Sequence, residues 1–144
     1  MARRRESLIP LSHEHHDALL LAWRLRTGDL SKREPELRAK HVSAFFEYRL
    51  INHLRLEEDL LFPACGAVLG VEASLIDLLL SDHRDLRAKA AAIKAGAHDQ
   101  VDSFCVLLES HIRTEERQLF VLAQNRMKPA EMAELGRKIK ARMG

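Results

Sequence analysis

One ten-residue string occurs twice in this chain. His53-Leu54-Arg55-Leu56-Glu57-Glu58-Asp59-Leu60-Leu61-Phe62 returns as His111-Ile112-Arg113-Thr114-Glu115-Glu116-Arg117-Gln118-Leu119-Phe120. His, Arg, both Glu, Leu and Phe recur at matching positions. In a helix, residues four apart lie on one face, one turn apart. Each copy therefore presents an imidazole and a carboxylate side by side, able to reach one cation. Two such pairs on facing helices supply half the ligand shell of a dinuclear site in a bundle core.

The surrounding pattern is helical. Residues of about Ser12–Gly28, Pro35–Cys65, Glu72–Ala95 and Asp99–Asn125 read as four long helices. A short amphipathic helix follows from Pro129 to about Arg142. Ser12 suits an N-cap, and Pro35 suits a first helical turn. Pro63 and Gly66 are expected to end the second helix, and Gly96 the third. Leu75, Ile76, Leu79, Leu80 and Leu86 follow a helical period. Short connections favour antiparallel neighbours, so the expected fold is all-α: an up-down-up-down four-helix bundle over about residues 8–125. The whole chain, 1–144, is expected to form one domain.

Composition agrees. With 47% hydrophobic residues, 31% charged residues, 6 Gly and 4 Pro in 144 residues, the chain suits a helical globular protein with a real core. A net charge of +2, with no basic stripe interleaved with aromatics, argues against nucleic-acid binding. Arg3-Arg4-Arg5 reads as a solvated tail, and no apolar signal-peptide core follows it. The longest uninterrupted apolar run, Ala18–Trp23, is too short to span a bilayer. Cys65 and Cys105 lack CxxC spacing and lie in apolar contexts, which points to buried free thiols. The expected location is the cytoplasm, with no membrane partner. The oligomeric state is left open.

On a helical wheel His53 and Glu57 share a face with Val42, Phe46, Arg49, Leu50 and Leu60. His111 and Glu115 share one with Phe104, Leu107, Leu108 and Leu122. Carboxylates on buried faces are costly without a partner, and a metal pair would serve both copies. His83 lies on the apolar stripe of the third helix, in the string Asp82-His83-Arg84-Asp85. The first helix carries the related string Glu14-His15-His16-Asp17, which matches His15 to His83. His15 and His16 both fall on apolar faces, and His13 lies one turn before His16. At least one of the three belongs to the site, and two would complete a five-His set.

The candidate metal ligands are therefore His15, His16, His53, Glu57, His83, His111 and Glu115. Arg55 and Arg113 read as a solvated face, and Glu58 and Glu116 as surface residues or outer partners of the ligands. His41, His98 and Tyr48 fall away from the site. Imidazole and carboxylate donors suit iron, manganese or zinc, and paired helical His/carboxylate sites favour iron.

These motifs resemble the hemerythrin-like (HHE cation-binding) family. The resemblance is carried by Glu14-His15-His16, by His53 and Glu57 with Leu61-Phe62-Pro63, by His83, and by His111 and Glu115 with Leu119-Phe120. It extends from about Leu8 to Asn125. It implies a four-helix bundle around a non-haem, usually di-iron, centre. It also implies handling or sensing of iron, oxygen, nitric oxide or peroxide, with a small diatomic molecule as ligand. An oxidase or peroxidase using the same centre, and an oxygen-binding hemerythrin, are the alternative readings. Two departures bear on oxygen carriage. Carriers have a second His four residues after the first on the third helix, where this chain has Arg87. They also have His-x-x-x-x-Asp on the fourth helix, where this chain has His-x-x-x-Glu. The Arg87 guanidinium either draws anions such as peroxide or nitrite to the centre or reaches solvent along its apolar stem.

Overall fold

The computed structural model describes residues 4–144. Four long helices form the bundle: α1 (Ile9–Arg26), α2 (residues 35–69), α3 (Ser74–Lys94) and α4 (residues 101–126). α5 (Pro129–Met143) closes one end. There is no strand among the described residues. α1 packs on α4, α2 on α3, and α3 on α4. Gly70 ends α2 and Gly96 follows α3, at φ of 57° and 116°. Glycine enters that half of backbone space without the steric cost other residues meet.

Several boundaries differ from expectation for physical reasons. α1 begins at Ile9, after a 3-10 turn at Glu6–Leu8, so Ser12 is inside the helix and caps nothing. Pro63 does not end α2. It falls in the first turn of the segment Phe62–Leu69, directly after a wide π turn at Glu57–Leu61. In that position the missing N–H costs little. The basic start is not a free tail either. Arg4 and Arg5 both bond to the buried Gln124, and Arg4 also bonds Glu116. Arg3 lies outside the described residues. The helical run Pro35–Lys94 holds one stretch long and apolar enough to cross a membrane by length and composition, but the chain turns back at Gly70 within that run.

The π turns are the main local feature. α4 carries one at Glu115–Leu119, the same place in the repeat as Glu57–Leu61 in α2. A third lies at Phe46–Leu50. In a regular helix, residues spaced by four drift around the axis by about 40° per step. A wide turn takes up that drift. His53, Glu57, Leu61, Cys65 and Leu69 are therefore all buried in a row, as are His111, Glu115, Leu119 and Ala123. The wheel expectation that Leu60 and Leu122 share the site face fails for this reason. Both are only partly buried, and Leu61 and Leu119 take their places.

The core is divided. One apolar cluster holds Ala22, Leu25, Val42, Leu54, Leu86, Ile93, Phe104 and Leu108. The other holds Leu8, Leu11, Leu61, Leu79, Phe120, Met132, Leu135 and Ile139, so α5 packs across the end of the bundle through its apolar stripe. Between the two lies a belt of buried His and Glu side chains.

Candidate metal centre

Six side chains make up that belt: His15 from α1, His53 and Glu57 from α2, His83 from α3, and His111 and Glu115 from α4. All six are buried, and Glu57, Glu115 and His83 are fully so. They form two groups that share both carboxylates. His15, His53, Glu57 and Glu115 make one, and His83, His111, Glu57 and Glu115 make the other.

The distances show how the sharing works. In the first group, His15 Nε2 lies 2.9 Å from Glu115 Oε1, and His53 Nε2 lies 3.2 Å from Glu57 Oε2. In the second, His83 Nε2 lies 3.1 Å from Glu57 Oε1, and His111 Nε2 lies 3.2 Å from Glu115 Oε2. Each carboxylate thus sends one oxygen to each imidazole pair. The arrangement has an approximate twofold symmetry that exchanges the two sequence repeats.

The other ring nitrogens settle the tautomers. Every Nδ1 faces a carboxylate: His15 that of Glu116 at 2.6 Å, His53 that of Glu14 at 2.8 Å, His83 that of Glu58 at 2.7 Å, and His111 that of Asp82 at 2.9 Å. A carboxylate accepts, so each Nδ1 donates and carries the hydrogen. Each Nε2 points toward the centre and offers its lone pair there once its own proton leaves, which is how metal-binding histidines are held. The pattern repeats by position. Glu14 and Asp82 immediately precede His15 and His83, and Glu58 and Glu116 immediately follow the shared glutamates.

The facing Nε2 atoms fit a cation. His15 and His53 Nε2 are 3.2 Å apart, and so are those of His83 and His111. Two lone pairs at that distance repel unless something positive lies between them. Glu57 Oε2, Glu115 Oε1 and Glu115 Oε2 are buried, and the imidazole nitrogens are what they face. Buried carboxylate oxygens need a positive partner, which either a proton on a facing Nε2 or a metal cation supplies. Two nitrogens and two oxygens per group are donors that iron, manganese or zinc accept.

Electrostatics point the same way. Burial lowers the basicity of these imidazoles, but the carboxylates more than offset it. His15 is held well above the ordinary 6.5 by Glu115, Glu116 and Glu57. His53 is raised to about 9 by Glu57 and Glu14, and His111 to about 12 by Glu115, Asp82 and Glu57. Glu57 lies well below its ordinary 4.5, because the surrounding histidines outweigh its burial. The belt attracts cations, and protons compete for it.

A sign follows for chelator-treated protein. His53 contributes stability that is complete below pH 6.5 and lost as pH rises to about 9. Glu57 contributes stability present above pH 4.5 and lost as pH falls below it. The melting temperature of the metal-free chain is therefore expected to be highest between these limits and to fall toward pH 9. Metal-loaded protein should show the opposite trend from pH 5 to 8, because binding requires protons to leave. A metal-free melting temperature that climbs from pH 6.5 to 9 would contradict this account.

Not every expected residue comes to the site. His16 and His13 are exposed on the outer side of α1. His15, one turn below Leu11 and one above Ala18, is the member of that string on the buried stripe. His41 and His98 are only partly buried and outside the belt, and Tyr48 is 77% exposed. Arg55 and Arg113 are exposed, as expected of a solvated face. Arg49, placed on the His53 face by the wheel, is exposed and pairs with Asp17 at 2.7 Å. Arg87 neither faces the centre nor is free to draw anions, since it makes a two-pronged ion pair with Glu58 at 2.6 and 3.0 Å.

Phe62 and Phe120, the last residues of the two repeats, pack their rings on His83 and His15 at 5.2 and 5.6 Å. Cys65 and Cys105 are buried and free. Burial, with Glu115 and Glu57 nearby, pushes the Cys65 thiol up to about 12, so it is no competing thiolate ligand. A cavity of about 20 Å³ adjoins the first group. His15, His53 and His111 line it together with Phe45, Leu50 and Leu54.

The sequence model of one family, described as the hemerythrin HHE cation binding domain, matches residues 7–123. No curated protein and no solved structure matches the chain.

Proposed function

The chain belongs to the hemerythrin HHE cation binding domain family, and from that premise we propose that it holds two iron ions and senses or handles a small diatomic molecule or peroxide. The observation that carries this reading is the sharing of Glu57 and Glu115, each with one oxygen in either His pair. His15 and His53 would help hold one ion and His83 and His111 the other, with Glu57 and Glu115 available to both. Bound iron supplies redox and ligand-binding chemistry that these side chains lack. Iron is favoured over softer metals because the donor set is imidazole and carboxylate with no thiolate. Manganese and zinc accept the same donors.

The size of the adjoining cavity favours a small ligand. About 20 Å³ is room for roughly one water-sized molecule. Its lining beyond the histidines is largely apolar, with Ala18, Phe45, Leu50, Leu54, Leu108 and Ile112. Glu14 and Arg49 complete the lining, and Glu14 holds the His53 ring through Nδ1. The cytoplasm remains the proposed location.

Protein from iron-supplemented cells is expected to contain two irons per chain by elemental analysis. Trace metal only, persisting after anaerobic reconstitution with ferrous iron, would overturn the reading.

A further inference from the structure

We propose that Arg4 is a positioning residue for the first half of the metal centre, acting on His15 through Glu116, so that the segment ahead of α1 tunes one metal and not the other. The proposal rests on the metal-pair reading above.

It comes from a break in the internal symmetry. Of the four carboxylates that hold an Nδ1–H, Glu58 and Glu116 occupy matching places in the two repeats. Each also accepts from a guanidinium. Glu58 takes Arg87, from α3, the helix that carries its histidine His83. Aligning His15 with His83 puts Leu19 at the position of Arg87, so α1 has no cation there. Arg4 fills the role from outside the bundle helices. Its Nη2 donates to Glu116 Oε1 at 3.1 Å and to the Glu116 carbonyl at 2.8 Å.

Arg4 is held there from several sides. Its Nη1 donates to Gln124 Oε1 at 3.3 Å, and the next backbone N–H, of Arg5, donates to the same oxygen at 2.7 Å. The guanidinium lies 5.2 Å from the centroid of Phe120, within cation–π range. Phe120 in turn stacks on His15. Ser12 Oγ donates to Glu116 Oε2 at 2.7 Å, the oxygen that receives His15 Nδ1–H. Glu116 is a quarter exposed. Without Arg4, one of its oxygens loses its charged donor, and water competes for the carboxylate. The plane of the group that orients His15 is then no longer fixed, while Glu58 and His83 keep Arg87. Outer hydrogen bonds of this kind set ligand orientation and basicity.

The test is cobalt(II) uptake by the full chain, followed by absorption and proton NMR, in wild type, Arg4→Gln, Arg4→Lys and Arg87→Gln. In cobalt-loaded wild type the four Nδ1–H protons should give four exchangeable, strongly shifted resonances. Arg4→Gln is expected to weaken one of two uptake steps by roughly tenfold or less, at or below the low end of what losing an outer partner costs, and to move one resonance. Arg4→Lys, which keeps the charge, should restore most of both. Arg87→Gln should move a different resonance. Arg4→Gln protein with wild-type affinities and spectrum, or with all four resonances altered alike, would overturn this proposal alone. Wild type that takes up no cobalt would overturn the metal-pair reading and this proposal with it.

Discussion

Replacing Glu57 by alanine is expected to abolish tight binding of both metals, not of one. Glu57 sends Oε2 to His53 and Oε1 to His83, 3.2 and 3.1 Å away, so each half loses a donor and the negative charge that offsets its cation. Glu115→Ala should behave alike. The same geometry grades the neighbours. Glu58→Ala removes the acceptor for His83 Nδ1–H and should weaken one metal by roughly 10- to 100-fold. The place of Glu58 off the His53 face on a helical wheel would alone suggest a nearly silent change. Arg55→Ala, on the exposed side of α2, should change nothing. Metal-loaded wild type should also melt higher than Glu57→Ala. A ligand at about 1,000 times its Kd adds about 4 kcal/mol, and for a chain of this size each kcal/mol is worth roughly 2–4 °C. The expected gap is therefore about 8–16 °C per metal lost. In metal-free samples it should shrink, because the metal's contribution drops out and only the pairing of Glu57 with the surrounding histidines is lost. Equal metal loss in Glu57→Ala and Glu58→Ala would contradict the bridging arrangement.

The iron-loaded, reduced protein is expected to oxidise on first contact with oxygen and not to recover when oxygen is removed. The reason lies in the division of ligands. The four belt histidines split two and two. A carrier's fifth histidine would stand where Arg87 stands, and Arg87 is bound to Glu58 outside the belt. His13 and His16 are exposed and cannot make up the number. The halves therefore offer matched donor sets, without one His-rich, saturated metal beside an open one. Ligand supply governs redox behaviour. The experiment is an optical record through repeated cycles of oxygen and argon. Return of the reduced spectrum in each cycle, with no added reductant, would show that reversible carriage survives with four histidines.

Much of this was legible in the sequence, for definite reasons. A repeated His-x-x-x-Glu pair on an apolar helical face leaves few alternatives once the faces must meet. The bundle and the roles of His53, Glu57, His83, His111 and Glu115 as neighbours follow from period and burial. The choice among His13, His15 and His16 did not. His16 shares its face with Leu20 and Trp23, which look like core residues but are 50% and 55% exposed. Tertiary packing of α1 on α4, not hydrophobicity, selects the stripe of Leu11, His15, Ala18 and Ala22. The π turns were also hidden, since a wheel built at 100° per residue cannot contain them. They explain why Leu61 and not Leu60 is buried, and why Pro63 is tolerated. A signal for the outer carboxylates was present. An acid stands directly before His15 and His83, and a second Glu follows each shared one. Arg4 had no signal, because its partner Glu116 is remote in sequence and nothing in the repeat points to it.

The approximate twofold symmetry has a further consequence. α1 with α2, and α3 with α4, are two helical hairpins, and each brings two histidines to one of the two groups and one carboxylate to both. The centre is thus the seam of what amounts to a dimer of hairpins fused into one polypeptide. Two separate identical hairpins would have to change in step, because any substitution would appear on both sides. Fusion releases that constraint. Arg49 stands beside one half, where the matching residue of the other repeat is Leu107, and Leu19 in α1 matches Arg87 in α3. The halves keep the same inner donors while their surroundings differ, so a symmetric frame gives two donor groups with different properties.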